Sequence, residues 1–273
     1  VIILIEKVDT GTFEMNYFKF GSGSRTLVIL PGLSIQSVMG AVDAVLDEYA
    51  VMLSDFTVYL FDRREELPDD YTVRDMARDT ADAIRKLGLR DIFLYGVSQG
   101  GMIAMVIALR YPELVKKLAL GSTSARVDEK NFTVLGRWIE FAKKRDGVAL
   151  YLDFAEKVYP ADAFAQYKDA LITAGKNVAD RDFERFIKLA EGTFGFDIED
   201  ELQKIQCPVL AIGSSDDLVF GDAPTKAIAE RLHGRKDFEM YIYNGYGHAA
   251  YDTAPDYRER IYSFFIKQTE KQM

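Results

Sequence analysis

Ser98 stands in Gly96-Val97-Ser98-Gln99-Gly100-Gly101, after the apolar run Ile92 to Tyr95 and before a stretch where Met102, Met105, Ala108 and Leu109 recur at helical spacing. This predicts a strand, a tight turn and a helix. A serine on such a Gly-x-Ser-x-Gly turn, a nucleophile elbow, is held out from the backbone at the carboxyl end of the strand. The flanking glycines permit strained dihedrals and close packing of the helix on the sheet. The chemistry that suits this placement is attack on a carbonyl carbon. A hydroxyl is a weak nucleophile near neutral pH, so it needs a histidine to take its proton and an acid to orient that histidine. A phosphate cradle would instead require Gly-Lys-Ser/Thr or Gly-x-Gly-x-x-Gly, and this loop has neither.

The chain has two histidines. His248 lies in the glycine-rich segment Asn244-Gly245-Tyr246-Gly247-His248-Ala249-Ala250, after the strand-like Phe238 to Tyr243 and before the last helical stretch. His233, in Leu232-His233-Gly234-Arg235, reads as a surface or helix-end residue. Asp216 and Asp217 directly follow the strand-like run Pro208 to Gly213. Strand ends are where an open parallel sheet gathers functional groups, so either carboxylate suits the acid, as an Asx turn suits the loop.

The elements that would position these groups alternate between strand and helix. Residues 1–8 and 13–20 predict a hairpin around Asp9-Thr10-Gly11, and Thr26 to Leu30 a central strand that stops at Pro31-Gly32-Leu33-Ser34. Residues 37–54 have helical spacing, 56–61 are a further strand, and Asp62 to Glu66 reads as a solvated charged loop. Thr72 and Asp75 form a capping box for a helix that closes at Gly88. Lys117 to Ser122 is another strand, which predicts a doubly wound α/β sheet with right-handed crossovers. From about Arg126 to residue 203 only helical periodicity is found, so the chain divides into a core of 1–125 and 204–273 with a helical insertion of 126–203. The insertion's aromatics suit packing faces; Trp138, Phe141 and Tyr151 are the candidates for lining a pocket beneath it.

A length of 273 residues with 48% hydrophobic content suffices for a large core. The net charge of −9 argues against nucleic-acid and anionic-membrane partners and suits a small-molecule substrate. Cys207 is the only cysteine, which excludes an intrachain disulfide; nothing in the sequence resembles a Cys/His zinc cluster, and a cytoplasmic setting fits. The apolar opening VIILI is five residues long before Glu6 and Lys7, too short for a membrane span or a signal-peptide core.

The segments LVILPG, VYLFDRR, YTVRDMARDTADAIRKLGL, GVSQGG, CPVLAIGSSDDLV and YGHAAY, in the order serine, acid, histidine, resemble the α/β-hydrolase superfamily. The likeness is strongest to its small bacterial, lid-bearing esterases and lactonases and spans nearly the whole chain. It implies a mostly parallel, twisted, eight-stranded sheet flanked by helices, with residues 126–203 as a lid. It further implies Ser98 as nucleophile, His248 as base, and Asp216 as acid, since the family acid usually stands third after the strand-end glycine, here Gly213. The backbone N–H groups of Leu33 and Gln99 would form the oxyanion hole. The implied reaction is cleavage of a small or medium acyl ester or lactone through an acyl-enzyme, with no metal or organic cofactor.

Two departures stand out. Pro31-Gly32 replaces the His-Gly of many relatives, and Asp62-Arg63-Arg64-Glu65-Glu66-Leu67 lacks the glycine turn of Asp-x-Arg-Gly-x-Gly-x-Ser. The same triad also serves carbon–carbon hydrolases, peptidases and haloperoxidase-like enzymes. The competing class is a slow or non-catalytic small-molecule receptor on the same scaffold. Acyl length and oligomeric state are left open by the sequence.

Overall fold

Apolar and β-branched runs build one eight-stranded sheet in the computed structural model, which describes residues 4–268. The expectations for residues 1–3, in the first strand and in VIILI, lie outside the described residues. Strand β1 (Ile5–Asp9) pairs antiparallel with β2 (Glu14–Phe20) around Gly11, whose φ of 90° needs a residue without a Cβ. Strand β3 (Arg25–Leu30) ends at Pro31 as expected.

The stretch 37–54 is not one helix. It is broken into a 3-10 turn at Val38–Ala41, the short helix α1 (Val42–Glu48) and a second 3-10 turn at Ala50–Met52. Gly40 interrupts the pattern, and only Met39, Tyr49 and Met52 are buried along it, too little apolar anchorage to hold a long helix together.

Strand β4 (Phe56–Arg64) runs three residues past the expected end. Its buried series Phe56, Val58, Leu60 continues at period two into Asp62, and Met15 of β2 pairs with Arg64. Asp62 and Arg63 are therefore buried strand residues, which corrects the reading of Asp62 to Glu66 as a solvated loop. Helix α2 (Val73–Lys86) starts with the Thr72–Asp75 capping box and closes before Gly88 at φ 70°.

Strand β5 (Ile92–Val97) leads into α3 (Gln99–Arg110), which is buried from Gln99 to Ala108, and on to β6 (Val115–Gly121). Four helices follow before the next strand: α4 (Glu129–Lys143), α5 (Gly147–Val158), α6 (Ala161–Lys176) and α7 (Asp180–Glu191). The start of α5 meets the end of α6 backbone to backbone, since a Cβ on Gly147 would fall 2.2 Å from the Gly175 carbonyl oxygen. Strand β7 (Val209–Ser214), α8 (Ala223–Arg231), β8 (Phe238–Tyr243), α9 (Ala250–Thr253) and α10 (Tyr257–Ile266) complete the chain.

The strand order is β1-β2-β4-β3-β5-β6-β7-β8, parallel from β4 through β8. This is the expected mostly parallel sheet with helices on both faces. One apolar core joins α2, α3, α4, α5 and α7 to the sheet; the other sets Phe56, Tyr95, Tyr257 and Phe265 against its opposite face. Cys207 is buried, and burial pushes its thiol up to about 12. No helix among the described residues is long and apolar enough to cross a membrane.

Candidate active site

The β5–α3 turn holds Ser98 at φ 51° and ψ −120°, an unusual conformation for a residue with a side chain. Its glycines have specific reasons. A Cβ on Gly96 would lie 2.3 Å from the Gly100 carbonyl oxygen, and one on Gly100 would lie 2.0 Å from that of Leu30. A Cβ on Gly101 would lie 2.6 Å from the Thr123 side chain. Strand, turn, helix and the loop after β3 can thus meet only with hydrogen at those positions. The Ser98 N–H donates to Gly121 at 2.8 Å, and Thr123 Oγ1 donates to the Ser98 carbonyl at 2.6 Å.

His248 and Asp217 are both buried, at 3% and 6% exposure, with His248 Nδ1 2.7 Å from Asp217 Oδ2. The other Asp217 oxygen accepts the N–H groups of Val219 and Phe220 at 2.7 and 2.9 Å, which fixes the carboxylate's direction. Asp216 does not face the imidazole. Its carboxylate accepts from Ser214 Oγ at 2.7 Å and from the N–H groups of Gly245 and Gly247, each at 3.0 Å. Burial pushes the Asp216 carboxyl up, but these hydrogen bonds outweigh burial and hold it below the usual carboxylate range.

The expectation that Asp216 partners the histidine is therefore corrected to Asp217. The reason is one residue of strand. Strand β7 continues through Ser214, which pairs with Tyr243, so the third residue past the strand end is Asp217.

Ser122 and Thr123 were not anticipated from the sequence. Ser122 Oγ donates to the His248 carbonyl at 2.7 Å while Thr123 holds Ser98, so two successive hydroxyls after β6 tie both loops to the sheet. The run Ser122-Thr123-Ser124 at a strand end was the available signal.

Ser98 and His248 line one cavity together with Gly32, Leu33 and Gln99. A Cβ on Gly32 would lie 3.2 Å from that of Ser98, so the loop after β3 packs directly on the serine. The N–H groups of Leu33 and Gln99 have no hydrogen-bond partner among the described residues.

Trp138 lines the cavity, with Leu135 of the same helix and Phe154 of α5. Phe141 and Tyr151 do not, which corrects two of the three pocket candidates. On α4 the buried residues beside Trp138 are Leu135, Ile139 and Ala142, while half-buried Phe141 carries the Arg137 guanidinium 5.5 Å from its ring. Tyr151 turns its hydroxyl to Gln36 Oε1 at 2.7 Å. No Lys, Arg, Asp or Glu is among the cavity's described lining residues, and no group of His, Cys, Asp and Glu among the described residues is arranged to hold a metal ion.

Beneath the loop after β3 lies a charged network. Asp62 accepts from Ser37 Oγ at 2.5 Å and from Arg185 Nη2 at 2.9 Å. Arg63 Nη2 donates to the Pro31 carbonyl at 2.7 Å and to Gln99 Oε1 at 3.3 Å. The Gln99 amide donates in turn to the Leu189 carbonyl at 2.7 Å and to Thr193 Oγ1 at 2.8 Å, reaching the end of α7.

A sequence model described as the alpha/beta hydrolase fold matches residues 25–255. The chain belongs to the alpha/beta hydrolase family. It is an enzyme of the hydrolase class, and hydrolases are among its relatives. The serine hydrolase BPHL of Mus musculus is 25% identical to it over 229 residues, 78% of this chain and 70% of BPHL. Among alpha/beta hydrolases of known structure, MGS-M2 from a Medee basin deep-sea metagenome library is similar with a TM-score of 0.85 at 20% identity, covering 99% of this chain and 100% of MGS-M2. The enol-lactonase from Burkholderia xenovorans LB400 is similar with a TM-score of 0.82 at 17% identity, covering 96% of this chain and 100% of that chain.

Proposed function

We propose that this alpha/beta hydrolase cleaves small or medium acyl esters or lactones through an acyl-enzyme on Ser98. The observation that carries this reading is the imidazole of His248, held 2.7 Å from buried Asp217 in the cavity that Ser98 and the Gly32-Leu33 loop also line. Asp217 fixes the tautomer in which Nδ1 carries the proton, which leaves Nε2 to accept one from Ser98. The serine oxygen attacks the carbonyl, and the oxyanion is met by the free N–H groups of Leu33 and Gln99, each such donor lowering the barrier by about 3 kcal/mol. The protonated imidazole passes its proton to the leaving oxygen. Water, deprotonated by the same histidine, then releases the acid.

The helices of residues 126–203 act as a lid in this reading, with Leu135, Trp138 and Phe154 as cavity walls. A cavity lined by apolar and neutral polar side chains suits an uncharged acyl group, because a buried charge without a partner is costly. The enol-lactonase likeness brings lactones into the same class.

The test is a panel of activated esters, lactones and amides of graded acyl length, run beside Ser98→Ala. Hydrolysis that depends on Ser98, with esters and lactones ahead of amides, is the expected result. Activity on no member above the Ser98→Ala background would end the proposal.

A further inference from the structure

We propose that Arg63 is a positioning residue for the oxyanion hole, with one guanidinium nitrogen fixing both segments that supply its N–H groups. The inference rests on the acyl-enzyme reading. Arg63 is 4% exposed and its side chain makes no ion pair among the described residues. Asp62, its neighbour, is engaged with Ser37, Arg185 and the Arg63 main-chain N–H, the last at 2.7 Å. A buried cation without a carboxylate partner is costly to keep, and burial pulls this one down to about 10, against the attraction of Asp62, so it remains charged at neutral pH.

What the guanidinium does contact is specific. At 2.7 Å from Nη2 lies the carbonyl of Pro31, two residues before the Leu33 N–H. At 3.3 Å from the same nitrogen lies the side-chain oxygen of Gln99, the residue whose own N–H is the second donor. The close approach of Gly100 to Leu30 and Pro31 brings these two segments together. One group thus sets where the β3 loop stands relative to the start of α3. Its positive charge, held against both segments, also favours negative charge developing nearby.

Arg63 stands at the free position of the Asp-x-Arg pattern, near the end of β4, and from there its side chain reaches across to the loop after β3.

The experiment compares wild type, Arg63→Met and Arg63→Lys for hydrolysis of a nitrophenyl ester and for inhibition by an alkyl boronic acid, which forms a tetrahedral adduct on the serine. Thermal melts identify the folded variants. Arg63→Met is expected to lower kcat about 10- to 100-fold with KM changed less than about 3-fold. Boronate affinity should fall in parallel, and Arg63→Lys should recover part of both losses. Where Arg63→Met does not fold, Arg63→Lys decides alone, with an expected loss of about 3- to 10-fold in kcat and a matching loss in boronate affinity. A folded variant with kcat and boronate affinity within about 2-fold of wild type, or with KM alone changed, overturns the positioning role. Wild-type protein without Ser98-dependent turnover overturns the acyl-enzyme reading, and this inference with it.

Discussion

Asp216 and Asp217 are adjacent in the chain, and their carboxylates serve different partners. Asp217 holds the imidazole of His248 at 2.7 Å, while Asp216 holds the loop that carries it, through the N–H groups of Gly245 and Gly247. Asp217→Asn is therefore expected to cut kcat by about 10⁴-fold, because the amide favours the wrong tautomer, whereas Asp216→Asn should lower it far less. Steady-state kinetics on both variants decide the matter. The reverse ranking would return the acid role to Asp216.

Asp216 should instead show itself in acid stability. Its carboxyl is held below the ordinary value of 3.8, so between the folded and unfolded values the unfolded chain binds the extra proton. The stability contributed is present above the unfolded value and is lost as pH falls through the folded one. The gap in Tm between wild type and Asp216→Asn should be widest above about pH 5 and should close on acidification below about pH 4. A gap that widens towards acid would reverse the assignment.

Leu135 lines the cavity and Phe141 does not, although both belong to α4. Leu135→Ala is expected to shift preference towards longer acyl chains by about 10- to 200-fold, the range for apolar discrimination. Phe141→Ala should leave the ranking of substrates unchanged. Ratios of kcat/KM across an acyl series check both, and equal effects would show that the walls lie elsewhere.

Ser122→Ala removes the hydroxyl that donates to the His248 carbonyl. The expected cost is about 1 kcal/mol of stability, with kcat falling several-fold as the loop carrying His248 loosens. Denaturant melts with paired kinetics measure both; unchanged kcat would mean the loop is held without it.

The Asp62–Arg185 pair ties α7 to β4, at 10% and 17% side-chain exposure. Arg185→Met should destabilise the chain by about 3–5 kcal/mol by leaving Asp62 buried and uncompensated. Adding Asp62→Asn should restore part of the loss. A double-mutant cycle with no coupling energy would place the pair among those that contribute little.

The sheet was legible because its strands are near-continuous apolar runs between glycine and proline breaks, and the elbow because three glycines in six residues have few structural uses. What sequence could not place depended on single-residue register. Counting from Gly213 selected Asp216, and one further residue of pairing with β8 moved the position to Asp217. Asp62 and Arg63 read as solvent-facing because charge dominates local pattern, while their burial arises from Ser37, Pro31 and Arg185, which lie far from them in sequence. Phe141 and Tyr151 failed as pocket residues because helical spacing fixes a face without fixing which end of the helix meets the cavity.

Cys207 gives the molecule a built-in chronometer. The lone thiol is buried next to Pro208 and is held protonated well above neutral pH, so a thiol reagent reacts with it only during excursions that expose the start of β7. Its modification rate at increasing reagent concentration would level off at the frequency of those excursions. Because β7 ends at Ser214, just before Asp216 and Asp217, one mass-spectrometric time course would report how often the strand leading to the carboxylate partner of His248 loses its place, without a mutation.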